Sequence, residues 1–151
     1  MRTFGSVSDL LSAVDTELEP GEWLTVDQSR IDRFARATDD EQWIHTDPAR
    51  AATGPFGSTV AHGHLTLALV PALLRTAVAF EGLTTAINYG VDRVRFPVPV
   101  PVGSRLRARP RVVEAHEVRA GTTHVVWSTV VELDGAPRPA CVATIVTRYV
   151  F

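Results

Sequence analysis

Two periodicities divide this chain near its middle. In the first half, apolar positions recur at helical spacing. Val7, Leu10, Leu11 and Val14 follow Ser6, with Asp9 three residues after the serine, the pattern of a capped short helix. Pro20-Gly21 closes that region, Trp23 to Val26 predicts a short strand, and Asp27 caps a second helix whose Ile31, Phe34 and Ala35 share a face. Thr38-Asp39-Asp40-Glu41 breaks the pattern, and Asp47-Pro48 predicts a new helix start with proline at its first position. From Val60 to Phe80, the longest apolar stretch, charge is almost absent and only Arg75 interrupts it. That stretch predicts a helix buried on most faces, kinked or adjusted at Pro71.

The second half alternates with period two instead. Four segments rich in Val, Thr, Arg and aromatics predict strands: 84–96, 104–118, 123–134 and 139–150. Pro97, Pro99, Pro101 and Gly103 punctuate the first connection, and Asp134-Gly135 predicts a turn in the last. Helices first and an antiparallel meander last predict an α+β fold. Residues 1–151 read as a single domain whose sheet wraps the buried helix.

A chain of 151 residues can bury a core without a disulfide or metal staple. Fifteen basic residues against 17 acidic ones give a formal charge of −2. This balance argues against a nucleic-acid or anionic-membrane binder. Every basic residue is Arg, which excludes Schiff-base chemistry through a lysine. The lone Cys141 cannot form an internal disulfide. The first residues lack the apolar core of a signal peptide, and no run approaches the ~18 apolar residues of a membrane-spanning helix. A cytoplasmic location is therefore expected.

Asp40 and His45 do not fall on one helical face, but in an extended turn both side chains could converge on one water and remove a proton from it. The same two residues also fit a capping aspartate beside a packed histidine. His62-Gly63 opens the apolar helix, where unpaired N–H groups and a partial positive charge suit a developing oxyanion. Gly63 without a side chain would let a ligand oxygen approach; it also fits a simple helix-start glycine. Arg105, Arg107, Arg109 and Arg111 alternate along one strand and share a face, a solvated face by default and a phosphate track as the minority reading. His116 and His124 have no carboxylate or Cys at ligand spacing, so no metal site is expected there.

Together the motifs Asp40…His45-Thr46-Asp47-Pro48, Gly54-Pro55-Phe56-Gly57, Ala61-His62-Gly63 and Val94-Arg95-Phe96-Pro97-Val98-Pro99-Val100 resemble the MaoC-like (R)-specific enoyl-CoA hydratases of the hotdog fold. Gln42-Trp43-Ile44-His45 with Ile87-Asn88-Tyr89-Gly90 resembles their nodulation-protein-N-like actinobacterial branch. The resemblance implies a sheet wrapped round a central helix. It implies that Asp40 and His45 activate a water for addition to a trans-2-enoyl thioester, with the Gly63 N–H holding the thioester oxygen. Phe56, His62, Asn88 and Arg95 are the implied substrate-binding residues, Arg95 toward the phosphates of coenzyme A and His62 in fixing the helix start. No metal, nicotinamide or flavin is implied, coenzyme A entering only as part of an acyl-CoA (or acyl-carrier-protein) substrate, and the implied assembly is a homodimer. A hotdog thioesterase and a non-catalytic acyl-thioester-binding subunit are the alternatives.

The chain departs from the common family pattern at Asp39, Gln42 and Trp43. Asp39 sits beside Asp40, and the spacing to His45 favours Asp40 as the acting carboxylate. Asp39 then occupies a turn conformation that aspartate tolerates.

Overall fold

The computed structural model describes residues 1–151. Its helices start where the capping residues stand. Ser6 accepts the Asp9 N–H at 3.2 Å ahead of α1 (Val7–Ser12), and Asp27 accepts the Arg30 N–H at 2.8 Å ahead of α2 (Gln28–Thr38). α1 buries Leu10 while Leu11 turns outward; α2 buries Ile31 and Ala35. Two single-turn helices follow, α3 (Trp43–Thr46) and α4 (Pro48–Ala51), the second capped by Asp47 with Pro48 in its first turn.

The apolar run divides as proline requires. α5 (Gly63–Ala68) and α6 (Val70–Ala77) meet at Leu69, with Pro71 in the first turn of α6, where its missing N–H costs least. One expectation fails at the far end. The helix stops at Ala77, and Val78–Phe80 form a strand, β3, that pairs in parallel with β1 (Arg2–Phe4). Phe4 stacks against Phe80 and against the edge of Trp127, so distant packing outweighs the helical pattern there.

The predicted strands are β4 (Thr85–Arg95), β5 (Arg105–Arg119), β6 (Thr122–Leu133) and β7 (Cys141–Val150). With β2 (Leu24–Thr25) they form one antiparallel sheet in the order β2-β5-β6-β7-β4. The Asp134-Gly135 turn forms, Ala136 N–H bonding to Leu133 at 3.0 Å, but the connection runs on through Pro137 and Pro139 before β7. Register shifts in β4 and β5 mark bulges, which add twist and help the sheet curl round α5 and α6. On its inner face Val125, Trp127 and Val131 of β6 join Leu73 and Val70 in a contiguous core. The buried Trp127 indole donates to the Tyr149 hydroxyl at 3.1 Å. This is an α+β hotdog fold.

The outer face carries the arginine ladder, and acids meet it. Arg105 pairs with Asp134, Arg107 and Arg109 share Glu132 at 2.6 and 2.9 Å, and Arg111 reaches Asp15 at 2.9 Å. Trp23 lies under Arg105 and Arg107. The ladder is a paired solvent face, not a phosphate track. Nearby, His116 and His124 stack at 4.8 Å, and the Glu114 carboxylate lies 3.0 Å from His116 Nδ1, a carboxylate neighbour that sequence spacing had not suggested.

Candidate active site

The site is built where three irregular segments meet. α2 ends because Asp39 turns into the left-handed region at φ 56°, which short polar side chains tolerate. That turn swings Asp40 away from the helix axis, and its carboxylate is left more than half exposed. Asp39 thus ends the helix, and Asp40 is the carboxylate that stands beside His45 and His62. Asp39→Gly is expected to leave stability unchanged or raised by up to about 1 kcal/mol, because glycine enters this conformation without steric cost, and thermal melting of the variant checks it.

His45 does not sit on an extended turn; it sits on α3, a closed helical turn. Trp43 explains the local geometry. Its ring packs so closely on Gly54 that a Cβ there would lie 2.9 Å from it, and the Arg50 guanidinium covers it at 4.3 Å. The indole thus anchors the loop at the position where the family pattern differs.

The His45 ring is buried, and its Nδ1 lies 2.6 Å from the Val60 carbonyl oxygen. A carbonyl only accepts, so Nδ1 carries the proton and Nε2 keeps its lone pair. Val60 is held in turn: its N–H donates to Ile44 at 3.0 Å, and Ala61 bonds to Val100 at 2.8 Å.

His62 stacks on His45 at 3.7 Å between centroids and meets Phe34 on its other side at 5.0 Å. It is 1% exposed. Its Nε2 donates to the Asp40 main-chain carbonyl at 2.8 Å and lies 3.9 Å from the Asp40 carboxylate. So His62 braces both members of the pair. One ligand atom each of Asp40, His45 and His62 lie within 4.8 Å of one another. A water about 2.8 Å from both Asp40 and His45 would then subtend an angle no wider than about 120°, close to what a tetrahedral oxygen prefers. His62 Nε2 is committed to the Asp40 carbonyl, and its Nδ1 is buried without a hydrogen-bond partner.

Burial lowers the His45 pKa below its ordinary 6.5; the Val60 hydrogen bond opposes this, His62 adds to it, and Asp40 opposes it. The neutral ring is the form that accepts a proton. The acid limb of kcat/KM is therefore expected below pH 6.5, not above it, in a pH–rate profile. Stability follows the same sign. Below 6.5 the unfolded chain takes up a proton the folded one resists, so the His45 contribution falls as pH drops through that window.

Gly63 is the first residue of α5, so its N–H has no partner within the helix. The space a Cβ would take is filled by the Phe96 ring, whose atoms lie 2.8–3.0 Å from that position. Phe96 also meets the edge of the exposed His64. The family motif pointed to Arg95, but it is its neighbour Phe96 that touches the helix start.

The other expected residues lie further out. Arg95 is exposed at the sheet edge and folds back onto the Val94 carbonyl at 2.7 Å, beside an open cleft shared with Asp92, Arg93 and Val142. Phe56 is exposed in the loop after α4. Asn88 lines a cavity of about 200 Å³ between α6 and the sheet, with Leu74, Val78, Phe80 and Tyr149. Within one chain that cavity lies toward the C-terminal end of the central helix, and Asp40, His45 and Gly63 lie at its start. Cys141 is buried, its thiol pushed up to about 11 by burial, and takes no part.

This geometry has relatives. Residues 9–134 match the MaoC like domain. The chain belongs to the MaoC-like family. Within that family it is 50% identical over 150 residues to 3-hydroxyacyl-thioester dehydratase Z of Mycobacterium tuberculosis, covering 99% of both chains. It is 43% identical to nodulation protein N of Rhizobium leguminosarum, covering 94% of this chain and 89% of that one. An (R)-hydratase from A. caviae involved in PHA biosynthesis superimposes with a TM-score of 0.64 at 25% identity, covering 86% of this chain and 96% of that one. The MaoC-like fold thus agrees with the curled sheet and central helix described above.

Proposed function

We propose that this MaoC-like protein catalyses the reversible hydration of a trans-2-enoyl thioester to the (R)-3-hydroxyacyl thioester. The observation that carries the reading is the polarised His45: Nδ1 committed to Val60, Nε2 without a protein partner, and a ring nitrogen within 4.8 Å of an Asp40 carboxylate oxygen. Support also comes from the 50% identical relative, which is named a 3-hydroxyacyl-thioester dehydratase.

In the hydration direction, water held between Asp40 and His45 attacks C3, and the C2–C3 π electrons move toward the thioester carbonyl. The pair takes one proton from the water and returns one to C2, so the net change is OH on C3 and H on C2. The Gly63 N–H meets the thioester oxygen as it gains enolate charge. No metal, nicotinamide or flavin enters this scheme, and coenzyme A or a carrier protein serves only as the thioester handle. Arg95 and Arg93 supply cations for phosphate at the adjoining cleft, and Phe56 and Asn88 are assigned to the acyl and carrier path. No helix is long and apolar enough to cross a membrane; a cytoplasmic location is part of the same proposal.

The assembly proposed is a homodimer. β4 is the sheet's edge, eleven residues long, and it leaves Ile87, Tyr89 and Val91 about half exposed. A long apolar edge seeks another strand. Pairing with a second β4 would bring the partner's edge toward this chain's Arg95 and Phe96. Light scattering is expected to give twice 16.4 kDa, and Tyr89→Arg with Ile87→Arg should shift the mass toward a monomer.

Crotonyl-CoA tests the reaction. Loss of the enoyl-thioester absorbance without release of free thiol is the expected result. Thiol release would favour a hotdog thioesterase, and calorimetric binding with no turnover across short, medium and long chains would favour a binding subunit.

A further inference from the structure

Gln28 stands in the first turn of α2, and sequence offers no reason to notice it. Its side-chain amide is saturated by three groups from different parts of the chain. Nε2 donates to the Asp32 carboxylate at 2.7 Å and to the His45 main-chain carbonyl at 2.8 Å, while Oε1 accepts the Thr59 hydroxyl. The orientation is forced, because a carboxylate and a carbonyl can only accept. Thr59 is almost wholly buried and directly precedes Val60, whose carbonyl holds His45 Nδ1.

We propose that Gln28 is a positioning residue for the proton-transfer pair, holding the backbone of His45 and the Thr59–Val60 segment at the separation that keeps the Nδ1–H bond to Val60 intact. The amide holds one end of that bond through the His45 main-chain carbonyl and the other through the Thr59 hydroxyl, whereas Val60 grips the ring. Without Gln28 the hydrogen bonds left between the two segments are the Ile44–Val60 main-chain bond and the ring contact itself, beside the stacking of His62 on the ring. The ring then gains freedom to rotate, and the choice of tautomer weakens. The charged and titratable groups facing His45 are Asp40 and His62, with Asp32 behind Gln28, and none of these replaces the lost donor. The inference rests on the reading of His45 as the proton acceptor.

The test pairs kinetics with ¹⁵N-histidine NMR, His45 being assigned by difference against His45→Gln. Gln28→Ala is expected to lower kcat about tenfold to a hundredfold, with KM moved far less. The acid limb should rise toward the ordinary histidine value as burial of the ring relaxes. In the NMR spectra His45 should pass from one tautomer to a mixture. Thr59→Val should reproduce these changes, the double variant should add little to either, and Thr59→Ser should recover most of the lost rate. Thr59→Val, which leaves α2 untouched, carries the test if Gln28→Ala does not fold. An unchanged His45 tautomer and titration in both variants would overturn the proposal, as would losses that multiply in the double variant. If the wild-type protein hydrates no enoyl thioester, the reaction assignment fails, while the NMR arm still decides whether Gln28 holds His45.

Discussion

Asp40→Asn is expected to lower kcat on crotonyl-CoA by about 10²–10⁴-fold while the protein melts as the wild type does. The carboxylate is more than half exposed, and the neighbouring His62 Nε2 lies 3.9 Å away and is already bonded to the Asp40 main chain. Folding therefore draws little on this side chain, and its solvent-exposed position gives no reason for a large stability change. Chemistry draws on it heavily. An amide of the same shape can still orient a water through its oxygen, but it cannot carry a proton between that water and C2. His45 Nε2 alone then has to receive one proton and return the other. The expected signature is a fall in kcat with KM little altered, since the carboxylate meets the water and not the thioester. Initial rates from the enoyl absorbance, with a thermal melt on the same sample, check it. A variant turning over at the wild-type rate would remove Asp40 from the mechanism and return Asp39 to consideration.

The second large effect is at Gly63. Gly63→Ala is expected to lower kcat/KM by about 10²–10³-fold, with a measurable loss of stability. An added methyl group would stand 2.8–3.0 Å from three atoms of the Phe96 ring, so either the ring or the helix start must move. Movement of the helix start displaces the amide N–H proposed above to meet the thioester oxygen, and a donor displaced by even a fraction of an ångström loses much of its worth. Phe96 is partly exposed and has somewhere to go. The double variant Gly63→Ala with Phe96→Ala should therefore regain melting temperature and part of the activity, because the clash disappears while the N–H remains. If the double variant recovers nothing, glycine is needed at 63 for direct approach of the substrate oxygen, not for the ring. Kinetics and melting on the three proteins separate the two cases.

Much of this architecture was legible before any coordinates. The caps Ser6, Asp27 and Asp47 announce their helices because each supplies a short acceptor to an orphan N–H two or three residues on. The strands declare themselves because inner-face residues such as Val125, Trp127, Thr129 and Val131 recur every second position. Asp39 is legible as a turn residue, because aspartate tolerates the left-handed backbone that it adopts. Less was legible where distant partners decide. Val78–Phe80 continue a helical pattern yet form a strand, since Arg2–Phe4 lie alongside and Phe80 gains Phe4 and Tyr149 as ring neighbours. The arginine ladder seemed a possible anion track until Glu132, Asp134 and Asp15 were seen facing it.

The amino-acid order by itself determined the α+β class, the buried central helix and the set of residues from which the site is drawn, because capping, alternation and a contiguous motif are properties of near neighbours along the chain. The tertiary structure alone decided how those residues act. It put His62 flat against His45, turned the Phe96 ring over Gly63, and joined Gln28 to His45 and Thr59. Any polar or aromatic side chain can in principle meet any other, so a contact between residues 17 or 31 positions apart leaves no trace in local pattern. Only the closing of the sheet round the helix selects which of them touch.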